Sequence, residues 1–518
     1  MPTLRLRTTV LPAVLAAALT ITVAGPAAAA PAADPQVVSK AAALLAHDLS
    51  DTGTIVGSFD DGKGNVTTYT DYGRTLDAAL ALLAAGGHDG TLGRALTTVE
   101  DAPSVASYTQ GAPGDKAGAA YVGATAKLAF VVALTGGDPT KVGGVNLISQ
   151  LTGLETSSGH FADNSSFGDF ANLFGHAFAL LALKQAGQTI PDSIVQGLVT
   201  AHCPDGSYPE TYPKAGTPCT GSVDATGLVL QALAAAGQTS APEVQAATSW
   251  LTGQQKPDGS FPSQAPVNAT GYAVLGLDAV GAGIGNALAY LAGQQNADGG
   301  LRTGAPSAPA SNDFATAQAL PALAGKTFTQ SARTVQRQAT LVATSTEIVA
   351  TRGTTVTVHA PAGSVVDLYA YSQPNTTFGV VRTATVGATG VVTWTIAPLT
   401  NTKLYAQTRG AGGIPTPYVV VNVATGLSLS AQRTATRTYV FSGRSIPART
   451  GGLVISLYRY TDATHQVLTA QTRANPQTGN WSLTRAFSGT GTFTFVVRTG
   501  RDLQNAPGTS NTRSLAIS

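Results

Sequence analysis

Few side chains in this sequence have the type and spacing to do chemistry. Asp60 and Asp61 are adjacent, but the stretch around them (FDDGKG) reads as a solvated turn. Cys203 and Cys219 are the only cysteines, and they bracket the turn CPDGSYPETYPKAGTPC. In a chain that looks exported they are expected as a disulfide rather than a metal pair. The other candidates are polar residues set in or beside runs of Ala and Leu: Tyr72, Asp77, His176, Asp224, Gln231, Tyr272 and Gln318. An unsatisfied amide inside an apolar helix costs about 1–3 kcal/mol. Gln231 and Gln318 therefore either bond a neighbouring helix or face a wet cavity. Asp71, Asp224 and Asp313 precede apolar runs and read as helix N-caps. No acid stands out as a proton donor, so binding without turnover is the chemistry expected of this set.

The elements that must position these residues repeat. Six apolar, helix-patterned segments each end in glycine, at Gly86, Gly136, Gly187, Gly237, Gly281 and Gly325. Glycine there suits the left-handed C-terminal position of a helix. Amphipathic segments alternate with them, and several lead into one kind of turn: TSSGHF, CPDGSY, KPDGSF and NADGGL. The Asp-Gly pair makes the turn, and the following aromatic or leucine is expected to plug back into the core. Helix pairs of this size bury their faces only by stacking. Twelve helices in two concentric rings are expected over residues 34–326, the inner ring apolar all round. Counting back eleven residues from the glycines places Thr75, Thr125, His176, Thr226 and Thr270 at inner-helix starts. These, with the polar residues named above, are expected to line the mouth of a central cavity. Inner-helix N-termini converging there would favour an anionic or hydroxyl-rich ligand, and Tyr72 and Tyr272 would stack on it.

WLTGQQKPDGSF (Trp250 to Phe261) and YLAGQQNADGGL (Tyr290 to Leu301) resemble the repeats of the prenyltransferase and squalene-cyclase superfamily. The resemblance implies an α/α toroid of six helix pairs across some 290 residues. It does not imply an activity, because enzymes and binding proteins share that fold. The acidic D-x-D-D cluster of the cyclases and the Asp, Cys and His zinc set of the protein prenyltransferases have no counterpart here.

Beyond residues 327–338, a basic polar stretch read as a linker, the pattern changes to Thr- and Val-rich alternation. SVVDLYAYS (from Ser364) matches LVISLYRYT (from Leu453), and the tryptophans Trp394 and Trp481 fall in matching segments. Two all-β, immunoglobulin-like sandwiches are expected, over 339–424 and 425–518. Tyr369, Tyr371, Tyr458 and Tyr460 alternate on one face. Core packing is the plainer reading of that face and carbohydrate stacking the sharper one. Residues 1–30 have the charged, apolar, small-residue order of a secretory signal. Lys and Arg number 30 against 28 Asp and Glu, a flat balance that offers no reason to expect a nucleic-acid partner. The fold class expected is therefore multidomain, a helical toroid followed by two β-sandwiches. The function expected is a secreted, non-catalytic protein that captures a small molecule or glycan, with cell-wall material among its partners. It would need no cofactor, no metal and no membrane span after signal cleavage. The alternative is an exported enzyme of terpenoid-cyclase, prenyltransferase or glycan-cleaving type.

Overall fold

The computed structural model describes residues 33–49, 53–410 and 412–518. The leader expected at residues 1–30 lies outside them. The described residues contain thirteen α-helices: α1 (Pro35–Asp48), α2 (Tyr72–Ala85), α3 (Asp89–Val99), α4 (Ala102–Gln110), α5 (Val122–Leu134), α6 (Leu147–Thr152), α7 (Leu173–Gln185), α8 (Asp192–Val199), α9 (Val223–Ala235), α10 (Pro242–Gly253), α11 (Pro266–Ala279), α12 (Ala287–Ala292) and α13 (Asp313–Leu323). None is long and apolar enough to cross a membrane.

Helices α2, α5, α7, α9, α11 and α13 are the six apolar segments. Each packs on the next, and α13 packs on α2, so they close a ring. Ala, Leu and Val dominate these helices and nearly every position is buried. Small residues let the backbones approach. A Cβ on Gly227 would lie 2.3 Å from the Tyr272 carbonyl oxygen, and one on Gly271 would lie 2.6 Å from that of Gln318. The other helices lie outside the ring. Its seam is closed by α1, where Gln295 donates to the Val37 carbonyl at 2.8 Å and Ala33 to that of Leu323 at 2.8 Å. Gln255 makes the corresponding bond one repeat earlier, to the Ile284 carbonyl at 2.9 Å.

The turns plug as their sequence implies. Phe161, Tyr208, Phe261 and Leu301 are buried in the core. Gly206, Gly259 and Gly299 take positive φ beside the next outer helix, and a Cβ on Gly259 would lie 2.5 Å from the Asn286 carbonyl oxygen.

Three features depart from the expected twelve-helix plan. Helix α4 is additional, with Asp101 as N-cap and a left-handed Gly111 at its end. It was missed because it lacks the Ala/Leu run of the others. Residues 55–71 form an antiparallel hairpin leading into α2, with Asp60 and Asp61 at its exposed tip. The stretch read as a linker is instead a strap across the lower face of the ring. Phe328 and Val335 are buried, and backbone bonds join Arg333 to the Leu134 carbonyl and Val335 to that of Thr135. Arg337 pairs with Glu100 at 2.6 Å. Apolar side chains fill the hole left at the base of the ring, and arginines pair at its edge.

The last third is β-structure in two units. In the first, a three-stranded sheet (Thr340–Ala343, Thr354–His359, Val391–Ile396) faces a five-stranded one over a shared core of Val356, Val358, Val366, Leu368 and Val421. The second unit repeats the pairing scheme: Thr438–Ile446 lies between Ser430–Ala435 and Asn480–Ala486, and Val454–Tyr460 between Gln466–Arg473 and Gly491–Arg498. Bulges fall at Leu368/Tyr369 and Leu457/Tyr458, at matching places in the two units. The tyrosines are not core. Val366 and Leu368 fill the inner face of their strand, while Tyr369 stacks on Tyr405 at 4.6 Å on the outer face, with Phe378 and the exposed Tyr418 beside them. The His359–Asp101 contact at 2.6 Å joins this unit to the helical ring.

Candidate functional site

The threonines at the inner-helix starts do not line a cavity. All are fully buried, and all but Thr125 latch their helix to the segment before it. The Thr226 hydroxyl accepts from the Tyr208 amide at 3.0 Å, Thr270 from Phe261 at 3.1 Å, Thr316 from Leu301 at 2.8 Å and Thr75 from Ile55 at 2.9 Å. Thr125 accepts from the Gln150 side chain at 2.7 Å. In the third repeat His176 holds this place. Its Nε2 donates to the Ile194 carbonyl at 2.9 Å, and its Nδ1 accepts from the Tyr212 hydroxyl at 3.1 Å. That hydroxyl in turn accepts from the Phe161 amide at 3.1 Å. His176 is therefore the third repeat's latch, and the expectation that it contacts ligand is corrected. Burial, with nearby His160 adding to it, holds its imidazole down at about 4, so the ring is neutral.

A helix turns about 100° per residue, so positions two before and two after each latch point the opposite way, into the ring. On α2 these are Gly73 and Asp77; on α5, Gly123 and Lys127; on α7, Phe174 and Phe178; on α11, Asn268 and Tyr272; on α13, Phe314 and Gln318. All ten line one cavity of about 780 Å³ that opens past the helix starts, and α9 adds Asp224. The volume lies within the usual range for small-molecule sites, roughly 300–1,000 Å³.

Of the seven residues picked from sequence, Asp77, Asp224, Tyr272 and Gln318 meet in this cavity and three do not. His176 is the latch just described. Tyr72 packs behind the wall on Tyr108, their ring centroids 5.6 Å apart. Gln231 lies five positions after its latch, too deep to reach the cavity, and its Oε1 accepts from the Phe328 amide at 3.4 Å. Sequence reasoning missed Lys127, Phe174, Phe178, Asn268 and Phe314. The signal for them was the repeat register, read two residues to either side of the threonine.

The inner layer is a relay of polar groups. Lys127 pairs with the buried Asp77 at 2.6 Å and also donates to the Gly73 carbonyl at 3.1 Å. Burial pushes the Asp77 carboxyl up, and the Lys127 ammonium offsets part of that. Gln318 lies near enough to pull the Asp77 carboxyl down as well. The Gln318 Oε1 accepts from Asn268 Nδ2 at 2.8 Å. Asn268 is 5% exposed, and its side-chain Oδ1 has no hydrogen-bond partner.

At the rim, Asp71 caps α2 and pairs with Arg74 at 3.3 Å, while Arg74 lies over the Phe314 ring. Asp224 is not an N-cap, since Ser222 caps α9; Asn312 likewise displaces Asp313 on α13. Burial pushes the Asp224 carboxyl up to about 6, and neighbouring Glu210 adds to this. An acid able to hold a proton near neutrality therefore sits in the cavity, contrary to the sequence reading. The helix starts are also not free to bind an anion. Asn172 accepts from the Gly175 amide at 3.0 Å, Asp163 from Val122 at 2.7 Å, and the Thr303 carbonyl from Val267 at 3.0 Å. The expectation of an anionic or hydroxyl-rich ligand was drawn from free helix-start amides, and at α5, α7 and α11 these amides are taken within the protein.

Phe178 and Tyr272 form the lower wall. Phe328 of the strap lies beneath, 6.2 Å from Phe178 and 6.4 Å from Tyr272. Burial pushes the Tyr272 phenol well up, so it stays neutral. The Cys203–Cys219 disulfide is formed. It closes the loop that carries Glu210 to the rim and Tyr212 to His176. Among the described residues no group of three or more His, Cys, Asp or Glu could hold a metal ion.

No family model and no curated protein matches this chain. Among solved structures, the chain is similar to the type II terpene cyclase MstE from Scytonema without ligand, at 15% identity and a TM-score of 0.42, over 56% of this chain and 97% of that one. It is similar also to a variant of that cyclase in complex with geranylgeranyl dihydroxybenzoate, at 15% identity and a TM-score of 0.40, over 56% and 96%.

Proposed function

We propose that this chain is an exported capture protein: an α/α toroid whose central cavity takes a small molecule, carried on two immunoglobulin-like modules. One observation carries the reading. Inner helices contribute the positions flanking their latches to one open, aromatic-walled cavity with a few fixed polar groups, the usual make-up of a ligand site. Gly123 offers a clean test, because a Cβ there meets nothing within 4 Å. Gly123→Trp should fill the cavity while the fold stands. Native mass spectrometry of the protein from its producing culture should show a retained ligand, and the variant should lose it while melting at the temperature of the ligand-stripped wild type. A protein that leaves the culture empty and retains nothing from small-molecule extracts of it would overturn the reading.

The second reading is an exported enzyme, and Asp224 favours it. A carboxyl pushed up to about 6 inside a cavity is suited to general-acid chemistry. Turnover abolished by Asp224→Asn, with ligand still bound, would establish catalysis in place of capture.

A further inference from the structure

The cavity's charges and orphaned groups select among ligands. Two of its acids are already matched: Asp71 by Arg74 and Asp77 by Lys127. Asp224 and Glu210 remain, and among the described residues neither has an ion-pair partner. They stand close enough to repel one another. Glu210 is exposed to solvent, whereas Asp224 is half-buried on the cavity wall. A buried, unmatched carboxylate is costly unless a cation or hydrogen-bond donor joins it.

Beside it, Asn268 makes an independent demand of the same kind. Asp77 can only accept when ionised, so Gln318 must turn its amide N–H toward it. That orientation leaves Gln318 Oε1 to accept from Asn268, so the orphaned Asn268 atom is the acceptor Oδ1. Asp224 and Asn268 occupy the same register, two residues before their latches, on the adjacent helices α9 and α11. Asp224, whose donor is its own backbone amide, and Asn268 Oδ1, which has none, thus share one cavity wall. The walls below them are the rings of Phe174, Phe178 and Tyr272, with the Phe174 and Tyr272 centroids 6.3 Å apart, and the Phe178 ring already carries the Lys127 ammonium 5.6 Å from its centroid. Aromatic faces attract cations.

We propose that the ligand is a protonated amine on an apolar, ring-sized body, its ammonium between Asp224 and Asn268 and its ring against Phe174, Phe178 and Tyr272. An ammonium brings three donors and a positive charge, whereas a hydroxyl brings one donor and no charge. An anion would meet Asp224 and Glu210 and find the helix-start amides taken. This inference rests on the capture reading given above and names the ligand class for the same cavity.

Three matched probes differ only in the head group: tryptamine, protonated at pH 7; tryptophol, neutral; and indole-3-acetate, anionic. Titration calorimetry of the full chain at pH 7 and low salt should show tryptamine binding about tenfold or more tighter than tryptophol, and indole-3-acetate weakest. Asp224→Asn should weaken tryptamine about tenfold while changing tryptophol little. Unchanged tryptophol binding by Asp224→Asn is the control that this variant is folded, because the neutral probe occupies the same cavity. Gly123→Trp should abolish binding of every probe. Tryptophol or indole-3-acetate binding as tightly as tryptamine, and still blocked by Gly123→Trp, would overturn the amine assignment and leave capture standing. Binding of no probe, together with no retained ligand, would overturn both.

Discussion

His176 shows how one substitution within a repeat changes the chemistry of a position. Threonine holds the latch elsewhere with a hydroxyl that does not titrate. In the third repeat an imidazole holds it, depressed to about 4 by burial against about 6.5 in an unfolded chain. A depressed histidine is neutral in the folded state. Its contribution is fully present above pH 6.5 and is lost as pH falls toward 4, because the unfolded state takes up the proton first. The loss is on the order of 3 kcal/mol across that window. Replacing His176 with the repeat's own residue, His176→Thr, should flatten stability between pH 6.5 and 4.5. His160, also depressed by burial, keeps a slope of the same sign, and Asp224, raised to about 6, contributes one of the opposite sign. Urea unfolding at the two pH values measures this, and an unchanged slope would remove His176 as its source. Histidine in an apolar helix drew attention as a ligand contact because the sequence displays its chemistry but not its direction. The same holds for Gln231, whose register places it beneath the cavity rather than in it.

At the scale of the element, the recurring unit is an inner helix tied to the turn before it. In the fifth repeat the Thr270 hydroxyl accepts from the Phe261 amide at 3.1 Å and donates to the Pro266 carbonyl at 2.6 Å. Thr270→Val keeps the shape and deletes both bonds, leaving a buried amide unpaired. The expected cost is about 1–3 kcal/mol. Hydrogen exchange should quicken at Gly259 to Phe261 with the ligand cavity unaffected, because the latch faces away from it. Equal exchange in the two proteins would show that the bond contributes nothing. The helix ends, the Asp-Gly turns and the plugging residues after them were legible in sequence, since each is a local effect of glycine conformation or of an apolar side chain beside a turn. The latch was not, because its partner lies from 9 to 36 residues away and only folding shows which face the latch residue presents. Once that face is known, the ten cavity positions follow by counting two residues either way.

For the whole molecule, the decisive segment is the strap. Phe328 stands among Phe130, Phe178 and Tyr272, with centroid distances of 6.2 to 6.4 Å, and closes the base of the cavity. Phe328→Ala should cost about 3–5 kcal/mol. It should also deepen the cavity, so that a longer apolar ligand gains affinity relative to a short one. Thermal unfolding followed by tryptophan fluorescence, with ligands of graded length, reads both effects. A melting temperature unchanged from wild type would mean that the ring does not depend on its plug. The strap also runs into the first β unit, so loss of Phe328 should loosen the joint that His359 and Asp101 make between the two parts.

What the sequence determined by itself was what local chemistry dictates. The repeat of apolar helices ending in glycine, the turn type, the disulfide between Cys203 and Cys219 and the change to alternating strands after the helices all belong to this class. Each depends on residues near one another in the chain. Tertiary structure decided the rest. It turned the threonines outward and the residues flanking them inward, placed Tyr369 on the outer face of its sheet, and made a plug of the supposed linker. It also gave Asp224 its raised acidity and left Asn268 short of a donor. Those properties depend on which groups meet across the ring, and the six helices that bring them together are separated by more than two hundred residues of chain.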